Sequence, residues 1–311
     1  MATDLTKPLT ISISQIAPLI GLDHYNNFAR NVCEIWRRYN PQEFRDFELQ
    51  LKDAGNTKLA NANEMNDIWE MDQLLGTNLI DRIKTINENK DKSSNDMVKM
   101  QQELTTYIQQ QTTISEQDKT ELAKKICSVT NKNHGINNED EIITQFCKLS
   151  NMTIKDNQGW VDIPLLDSNA SNSLELSSSI TWKLIGKYDG ITTADELVEA
   201  KMRQNGLFKK MRDYENIQVQ LYLHGLGYCK GYLVEGYKNK KNELQILTHE
   251  VDYDDYYVKE VILDRLIKFT KFFEKLMLDE NMKKELLKGD NNKTVKKHYE
   301  MEYLDIGEIE F

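Results

Sequence analysis

Glu199 and Lys201 stand two residues apart in the run ELVEAKM (196–202). In a strand, successive side chains point to opposite faces, so this carboxylate and this ammonium share one face about 7 Å apart, and Val198, Ala200 and Met202 take the other. Ten residues upstream, GKYDGI (186–191) places Asp189 ahead of Gly190, where the chain can turn sharply. A hairpin would bring Asp189 beside Glu199. Two converging carboxylates repel unless a cation joins them, and hard divalent ions such as Mg²⁺ prefer such oxygen ligands. A lysine at the same point would orient or help deprotonate a water and neutralise charge on phosphoryl oxygens, so the set suits metal-assisted phosphodiester hydrolysis. A D-x(9)-E-x-K spacing also arises commonly by chance, and taken by itself a surface salt bridge between strand neighbours is the reading it has to displace.

The elements that must position these residues follow from periodicity. Ile180, Trp182 and Leu184 alternate with Thr181 and Lys183, as Val198, Ala200 and Met202 do with Leu197, Glu199 and Lys201, which predicts two strands. A helix from about Met211 to Leu226 is expected to end at Gly227, and GYLVEGY and ELQILTHEV to pair as a hairpin around Asn239 to Asn242. Val258, Ile262, Leu266, Phe269, Phe273 and Leu276 predict a long closing helix.

Upstream, LTISISQIAPLIGLDHY reads as an extended piece and then a helix, with Ser14 or Ser12 as N-cap and Ile16, Leu19 and Ile20 inward. Leu22 and Tyr25 lead into a second helix through Trp36; Pro41 is expected to break the pattern, with a polar stretch to about Asn63. Ile68, Met71, Leu75, Leu79, Ile83 and Ile86 have helical spacing interrupted only by Gly76. Residues 87–133 are rich in Asn, Gln, Lys, Thr and Ser, with sparse helical spacing at Met97, Met100, Leu104, Ile108, Leu122 and Ile126. They read as an inserted, mobile helical hairpin within a single 1–311 domain, its bland role a solvated surface. GINNEDEIITQFCKLSN is a further helix with Ile142, Ile143, Phe146 and Leu149 inward, followed by a strand at Gly159–Leu166 and a flexible SNASNSLELSSS loop. Helices first, then strand, strand, helix, strand, strand and helix, give an α/β core with a mixed sheet flanked by helices.

Composition narrows the field. The 311 residues are 39% hydrophobic and 29% charged, with no apolar run long enough to cross a membrane and no secretory leader pattern, so an intracellular location is expected. Cys33, Cys127, Cys147 and Cys229 are scattered without a CxxC pair and the five histidines have no ligand spacing, which disfavours a disulfide framework or a zinc or iron–sulfur site. A formal net charge of −10 argues against holding nucleic acid by overall charge. A local groove stays open, because EAKMRQNGLFKKMR (199–212) carries Lys201, Arg203, Lys209, Lys210 and Arg212 against one acid. The abundance of Asn, Lys and Ile fits an AT-rich genome, viral ones included.

ISISQI, GINNEDE, GKYDGI with ELVEAKM, and YENIQVQLYLHGLG occur in an order and approximate spacing that resembles the YqaJ-like and lambda-exonuclease-like branch of the PD-(D/E)xK superfamily, which includes viral recombination nucleases. The resemblance spans about Gly135 to Phe273, with a weaker patch at Ile11–Trp36. It implies a restriction-endonuclease-like core and a Mg²⁺- or Mn²⁺-dependent deoxyribonuclease with one or two ions. Asp189, Glu199, the Ala200 carbonyl and Glu139 would hold the metal, and Lys201 and Gln218 would act beside it. Ser14 would contact a DNA phosphate, joined by Arg203, Lys209, Lys210, Arg212 and Tyr214, with Tyr222 on the Gln218 helical face. Tyr188 stands where the family has proline, and Met1–Thr10 offers only Lys7 where exonuclease members carry a tryptophan and an arginine for a 5′-phosphate.

The activity so implied is exonucleolytic digestion of linear duplex DNA in recombination or replication. Partners would be DNA and a single-strand annealing or other recombination protein, with a homo-oligomer allowed. A structure- or sequence-specific endonuclease shares the same chemistry. A non-catalytic DNA-binding or assembly protein is the reading from another class, and it has to explain why Asp189, Glu199 and Lys201 are all retained.

Overall fold

The computed structural model describes residues 8–22, 27–54, 64–88, 94–165, 180–288 and 293–304. The chain starts with β1 (Leu9–Ser12), a 3₁₀ turn (Ile13–Gln15), α1 (Ile16–Leu19) and α2 (Phe28–Tyr39), then α3 (Pro41–Asp53). The polar break expected after Pro41 is instead a helix. Proline is well placed at the first helical position, and Phe44, Phe47 and Leu51 recur at helical spacing and are buried. Expectations for Lys7, Tyr25, residues 55–63 and the SNASNSLELSSS loop fall outside the described residues.

Next come α4 (Glu64–Leu75), α5 (Leu79–Glu88), α6 (Ser94–Gln109) and α7 (Glu116–Ser150). Gly76, at φ +61°, breaks α4 from α5 as its lack of a Cβ allows. The helix expected from Gly135 and the second arm of the expected hairpin are one 35-residue helix, α7, capped at its start by Ser115, whose side chain accepts the Asp118 N–H. Its N-terminal half joins α4, α5 and α6 around a separate apolar cluster that includes Ile68, Ile83, Leu104, Ile108, Leu122 and Ile126.

The C-terminal half of α7 leads to β2 (Ile154–Asn157), β3 (Trp160–Leu165), β4 (Trp182–Lys187), β5 (Gly190–Thr192), β6 (Leu197–Arg203), α8 (Asp213–Leu226), β7 (Lys230–Lys238) and β8 (Leu244–Asp252). The strands form two mixed sheets, ordered β1-β4-β3 and β2-β5-β6-β7-β8. Asp189 lies where the chain leaves the first sheet and enters the second. The mixed α/β architecture flanked by helices agrees with expectation. β6 pairs parallel with β7 along its length and antiparallel with β5 at Leu197 and Val198, its first four residues are buried, and the β7–β8 hairpin has the expected turn. A π-helical turn (Tyr257–Leu263) opens the long apolar helix, which continues as α9 (Asp264–Leu278). It does not close the chain: α10 (Glu280–Leu287) and α11 (Lys293–Tyr303) follow. Phe28, Phe269, Phe272 and Tyr299 pack as an aromatic group in the main core, between α2, α9 and α11.

Candidate active site

Alternation along β6 sorts its side chains as the sequence indicates. Val198 and Ala200 pack with Ile142, Ile143 and Phe146 of α7, with Met202 half-buried against them. Glu199, Lys201 and Arg203 take the other face, where α8 supplies Gln218 and Glu215. Asp189 reaches β6 across the turn: its Oδ2 accepts the Ala200 N–H at 2.8 Å. The backbone behind it is clamped by the turn that joins β2 of one sheet to β3 of the other. Tyr188 N–H donates to the Gly159 carbonyl at 3.0 Å, Gln158 N–H to the Asp189 carbonyl at 3.2 Å, and the Tyr188 hydroxyl to Asp156 Oδ2 at 2.6 Å. The Tyr188 ring lies where a Cβ on residue 159 would be, 1.9 Å from the hydroxyl oxygen, so only glycine fits there.

Glu199 is 2% exposed. Its Oε1 accepts from Lys201 Nζ at 2.6 Å and from Gln218 Nε2 at 2.9 Å, whereas its buried Oε2 has no hydrogen-bond partner among the described residues. Gln218 Nε2 also donates to the Tyr222 hydroxyl at 3.1 Å, and that hydroxyl donates to the Lys187 carbonyl at 2.8 Å. The electrostatics are those of an anion-crowded pocket. Burial, then the Asp189 and Glu139 charges, push the Glu199 carboxyl up to about 8 against the opposing pull of Lys201. Burial and Asp189 raise Glu139, half-buried on α7, to about 7, with Lys201 and Lys187 opposing. Burial also raises Asp189, despite Lys201 and the Ala200 N–H. Burial works against the charge of Lys201, but Glu199 and Asp189 outweigh it and hold the ammonium protonated well above its ordinary range.

Glu139, Asp189, Glu199, Lys201 and Gln218 are therefore brought into one neighbourhood. Among the described residues, no three His, Cys, Asp or Glu side chains are gathered tightly enough to mark a metal cluster. What the three carboxylates share is donor type: carboxylate oxygens are what a hard divalent cation takes, burial raises all three groups, and Glu199 Oε2 is buried with no donor among the described residues.

The expected nucleic-acid contacts divide. Lys209, Lys210 and Arg212 are exposed on the loop between β6 and α8, with the Arg212 guanidinium 4.3 Å from the Phe208 ring centroid. Arg203 is a correction. It is 9% exposed, and its terminal nitrogens bind both oxygens of Glu215 (2.7 and 2.9 Å) and Glu235 Oε1 (2.6 Å), so it is committed to carboxylates inside the protein. Ser14 is exposed in a 3₁₀ turn before the four-residue α1, its hydroxyl 3.0 Å from that of Ser12, so it could meet a phosphate through its hydroxyl but not through the dipole of a long helix. Tyr214 is half-buried against the main core. Lys187 escaped the sequence reading, although it stands two residues before Asp189; the structure shows it exposed at the end of β4, with its charge acting on both Asp189 and Glu139.

No family model matches this chain, and no curated protein matches it. The solved structure of SSO0001 is 14% identical with a TM-score of 0.32, covering 47% of this chain, which itself spans 63% of that one. An alkaline exonuclease from Laribacter hongkongensis gives a TM-score of 0.33 at 14% identity over 53% of this chain and 86% of that one. Its complex with dAMP gives 0.35 over the same shares. Superpositions this loose carry no functional argument. No helix among the described residues is long and apolar enough to cross a membrane.

Proposed function

We propose that this chain is a metal-dependent nuclease that hydrolyses DNA phosphodiester bonds, acting as an exonuclease on linear duplex DNA inside the cell, in recombination or replication. The observation that carries the reading is the donorless Oε2 of Glu199, buried beside Asp189 and Glu139 and next to a lysine held protonated. Asp189, Glu199, the Ala200 carbonyl and Glu139 would hold one or two Mg²⁺ or Mn²⁺ ions. Such an ion supplies a water acidic enough to attack at neutral pH and charge to meet the phosphoryl oxygens.

The protein's own groups do the rest. Lys201, protonated, is suited to stabilise negative charge on the phosphoryl group rather than to abstract a proton. Gln218 fixes the Glu199 carboxylate and, through Tyr222, ties it to the backbone of Lys187. The order of the four segments that resembles the lambda-exonuclease-like branch supports the substrate class, with a single-strand annealing or similar recombination protein as partner.

The test is digestion of end-labelled linear duplex and closed circular DNA with Mg²⁺ or Mn²⁺, wild type beside Lys201→Ala. Loss of linear DNA alone, abolished by the substitution, is the expected result. Cutting of both forms would make it an endonuclease, and binding without cleavage under either ion would overturn the catalytic reading.

A further inference from the structure

The three-stranded sheet turns one face to the core and the other to solvent. In β3, Val161 and Ile163 are buried and Trp160, Asp162 and Pro164 point out; in β4, Trp182, Leu184 and Gly186 are buried, and Lys183, Ile185 and Lys187 take the other face. The antiparallel register sets Trp160 directly opposite Lys187, Asp162 opposite Ile185, and Pro164 opposite Lys183. Opposed side chains in such a ladder have Cβ atoms about 5 Å apart, so Trp160 and Lys187 form one surface unit.

That unit lies at the end of the sheet that runs into the carboxylate pocket. Lys187 precedes Asp189 by two residues, and its charge draws down the carboxyl groups of both Asp189 and Glu139. Its carbonyl ends the hydrogen-bonded line Glu199–Gln218–Tyr222–Lys187. Glycine at 186 is what lets Tyr222 approach, since a Cβ there would meet the ring at 2.5 Å. The backbone of Lys187 is thus fixed to the pocket while its side chain stays at the surface.

The two side chains are unusual in what they leave uncovered. Trp36 and Trp182 are buried, but Trp160 is 68% exposed beside the pocket. Lys183, on the same face, is ion-paired with Asp162, whereas Lys187 Nζ rests at 2.7 Å on the neutral Gln158 amide oxygen and acts on Asp189 and Glu139 only from a distance, so a phosphate would displace a neutral partner and no direct ion pair. An open indole with an ammonium about one residue spacing away matches a nucleotide: a π-face for the base and a cation for its phosphate.

We propose that Trp160 and Lys187 form a subsite for an unpaired nucleotide of the strand entering the site, Trp160 stacking on the base and Lys187 meeting a phosphate. This rests on the nuclease reading above and deepens it, by assigning a frayed or single-stranded end as the form of DNA engaged next to the carboxylates. A base inside a duplex keeps its faces stacked on its neighbours and cannot use the indole; an unpaired one can. The exposed Lys209, Lys210 and Arg212 lie on a different element, the β6–α8 loop, so the two surfaces separate by mutation.

The experiment is tryptophan fluorescence of full-length Trp69→Phe protein, which removes the other strongly exposed indole, titrated in EDTA with oligo-dT and with a short blunt duplex. Oligo-dT is expected to quench emission and the duplex to do so weakly. Read by anisotropy of labelled oligo-dT, which needs no indole, Trp160→Ala should weaken binding about ten-fold and Trp160→Tyr should restore most of it, because the base keeps an aromatic face. Lys187→Ala should reduce the slope of log affinity on log salt by about 0.7, the value for one phosphate contact on a single strand. In digestion assays Trp160→Ala should raise KM for linear DNA and leave kcat close to wild type. No quenching, with unchanged oligo-dT affinity in Trp160→Ala, would overturn the subsite even if the wild type digests DNA. Quenching by oligo-dT in a protein that cleaves nothing would uphold the subsite and remove the nuclease reading.

Discussion

Glu199 and Arg203 lie four residues apart on one face of β6, each at the centre of a buried charge cluster, and the clusters differ in how their oxygens are served. Around Arg203 every carboxylate oxygen has a donor: Glu215 takes two guanidinium nitrogens, Glu235 Oε1 takes the third bond, and Glu235 Oε2 accepts the Phe208 N–H at 2.6 Å. Around Glu199, one oxygen takes both Lys201 and Gln218 and the other takes nothing, while Glu139 and Asp189 add further negative charge. A buried ion pair whose carboxylate oxygens all have donors is a structural device, whereas a group of buried carboxylates with an unserved oxygen and raised protonation is the mark of a candidate site. The same strand therefore carries a clamp and a site, told apart by hydrogen-bond accounting rather than by residue type.

The largest break in that comparison is Glu199→Gln. On the proposed function, cleavage should fall by on the order of 10³-fold or more, since the carboxylate proposed to hold the metal is lost. Stability should move the other way. The folded Glu199 carboxyl is raised to about 8 and Glu139 to about 7, from ordinary values of 4.5, so between those limits the folded state binds more protons than the unfolded. Their contribution is therefore intact at acid pH and is lost as pH rises through about 8. In EDTA, thermal unfolding of the wild type should show this decline, Glu199→Gln should flatten it, and Mn²⁺ should raise the wild-type Tm more at pH 8 than at pH 5.5, where protons compete for the oxygens. Identical pH profiles for the two proteins would remove Glu199 from the raised carboxylates.

Arg203→Met acts on the other cluster and should cost about 3–5 kcal/mol in urea unfolding, because Glu215 and Glu235 stay buried without their cation. Adding Glu215→Gln and Glu235→Gln should recover much of that. Cleavage per folded molecule should survive better than in Glu199→Gln; an equal loss would mean that the clamp is part of the chemistry.

The site was far more legible in the sequence than its surroundings. Period-two alternation settles that Glu199 and Lys201 share a face, because a strand offers no other arrangement; the turn expected at Gly190 falls instead at 193–196, with Asp195 at φ +61° and Gly190 opening β5, and that hairpin brings Asp189 across. The same alternation could not say that Arg203, on that very face, would meet two acids contributed by α8 and β7, because those partners are set by packing between elements distant in sequence. α3 went unread since Pro41 signals both a break and a helix start, and only burial of Phe44 and Phe47 decides. The polar composition of 87–133 hid a second apolar cluster, because its few large side chains gather only when α4 to α7 come together.

A smaller perturbation sharpens the contrast between positioning the site and merely holding the protein together. Tyr188→Phe removes the hydroxyl that donates to Asp156, an exposed carboxylate that water can serve instead, so stability should fall by only about 1 kcal/mol or less. That bond nevertheless anchors the residue just before Asp189, on the backbone that aims the Asp189 carboxylate at Ala200. Cleavage should drop a few-fold, with a weaker response to Mn²⁺. Ser115→Ala, which removes the cap of α7 at the far end of the helical cluster, should cost a similar amount, about 1 kcal/mol, and leave cleavage unchanged. If the two variants lose activity in proportion to stability alone, the β2–β3 clamp is ordinary scaffolding. If Tyr188→Phe loses activity at a stability where Ser115→Ala does not, the clamp sets the geometry of Asp189.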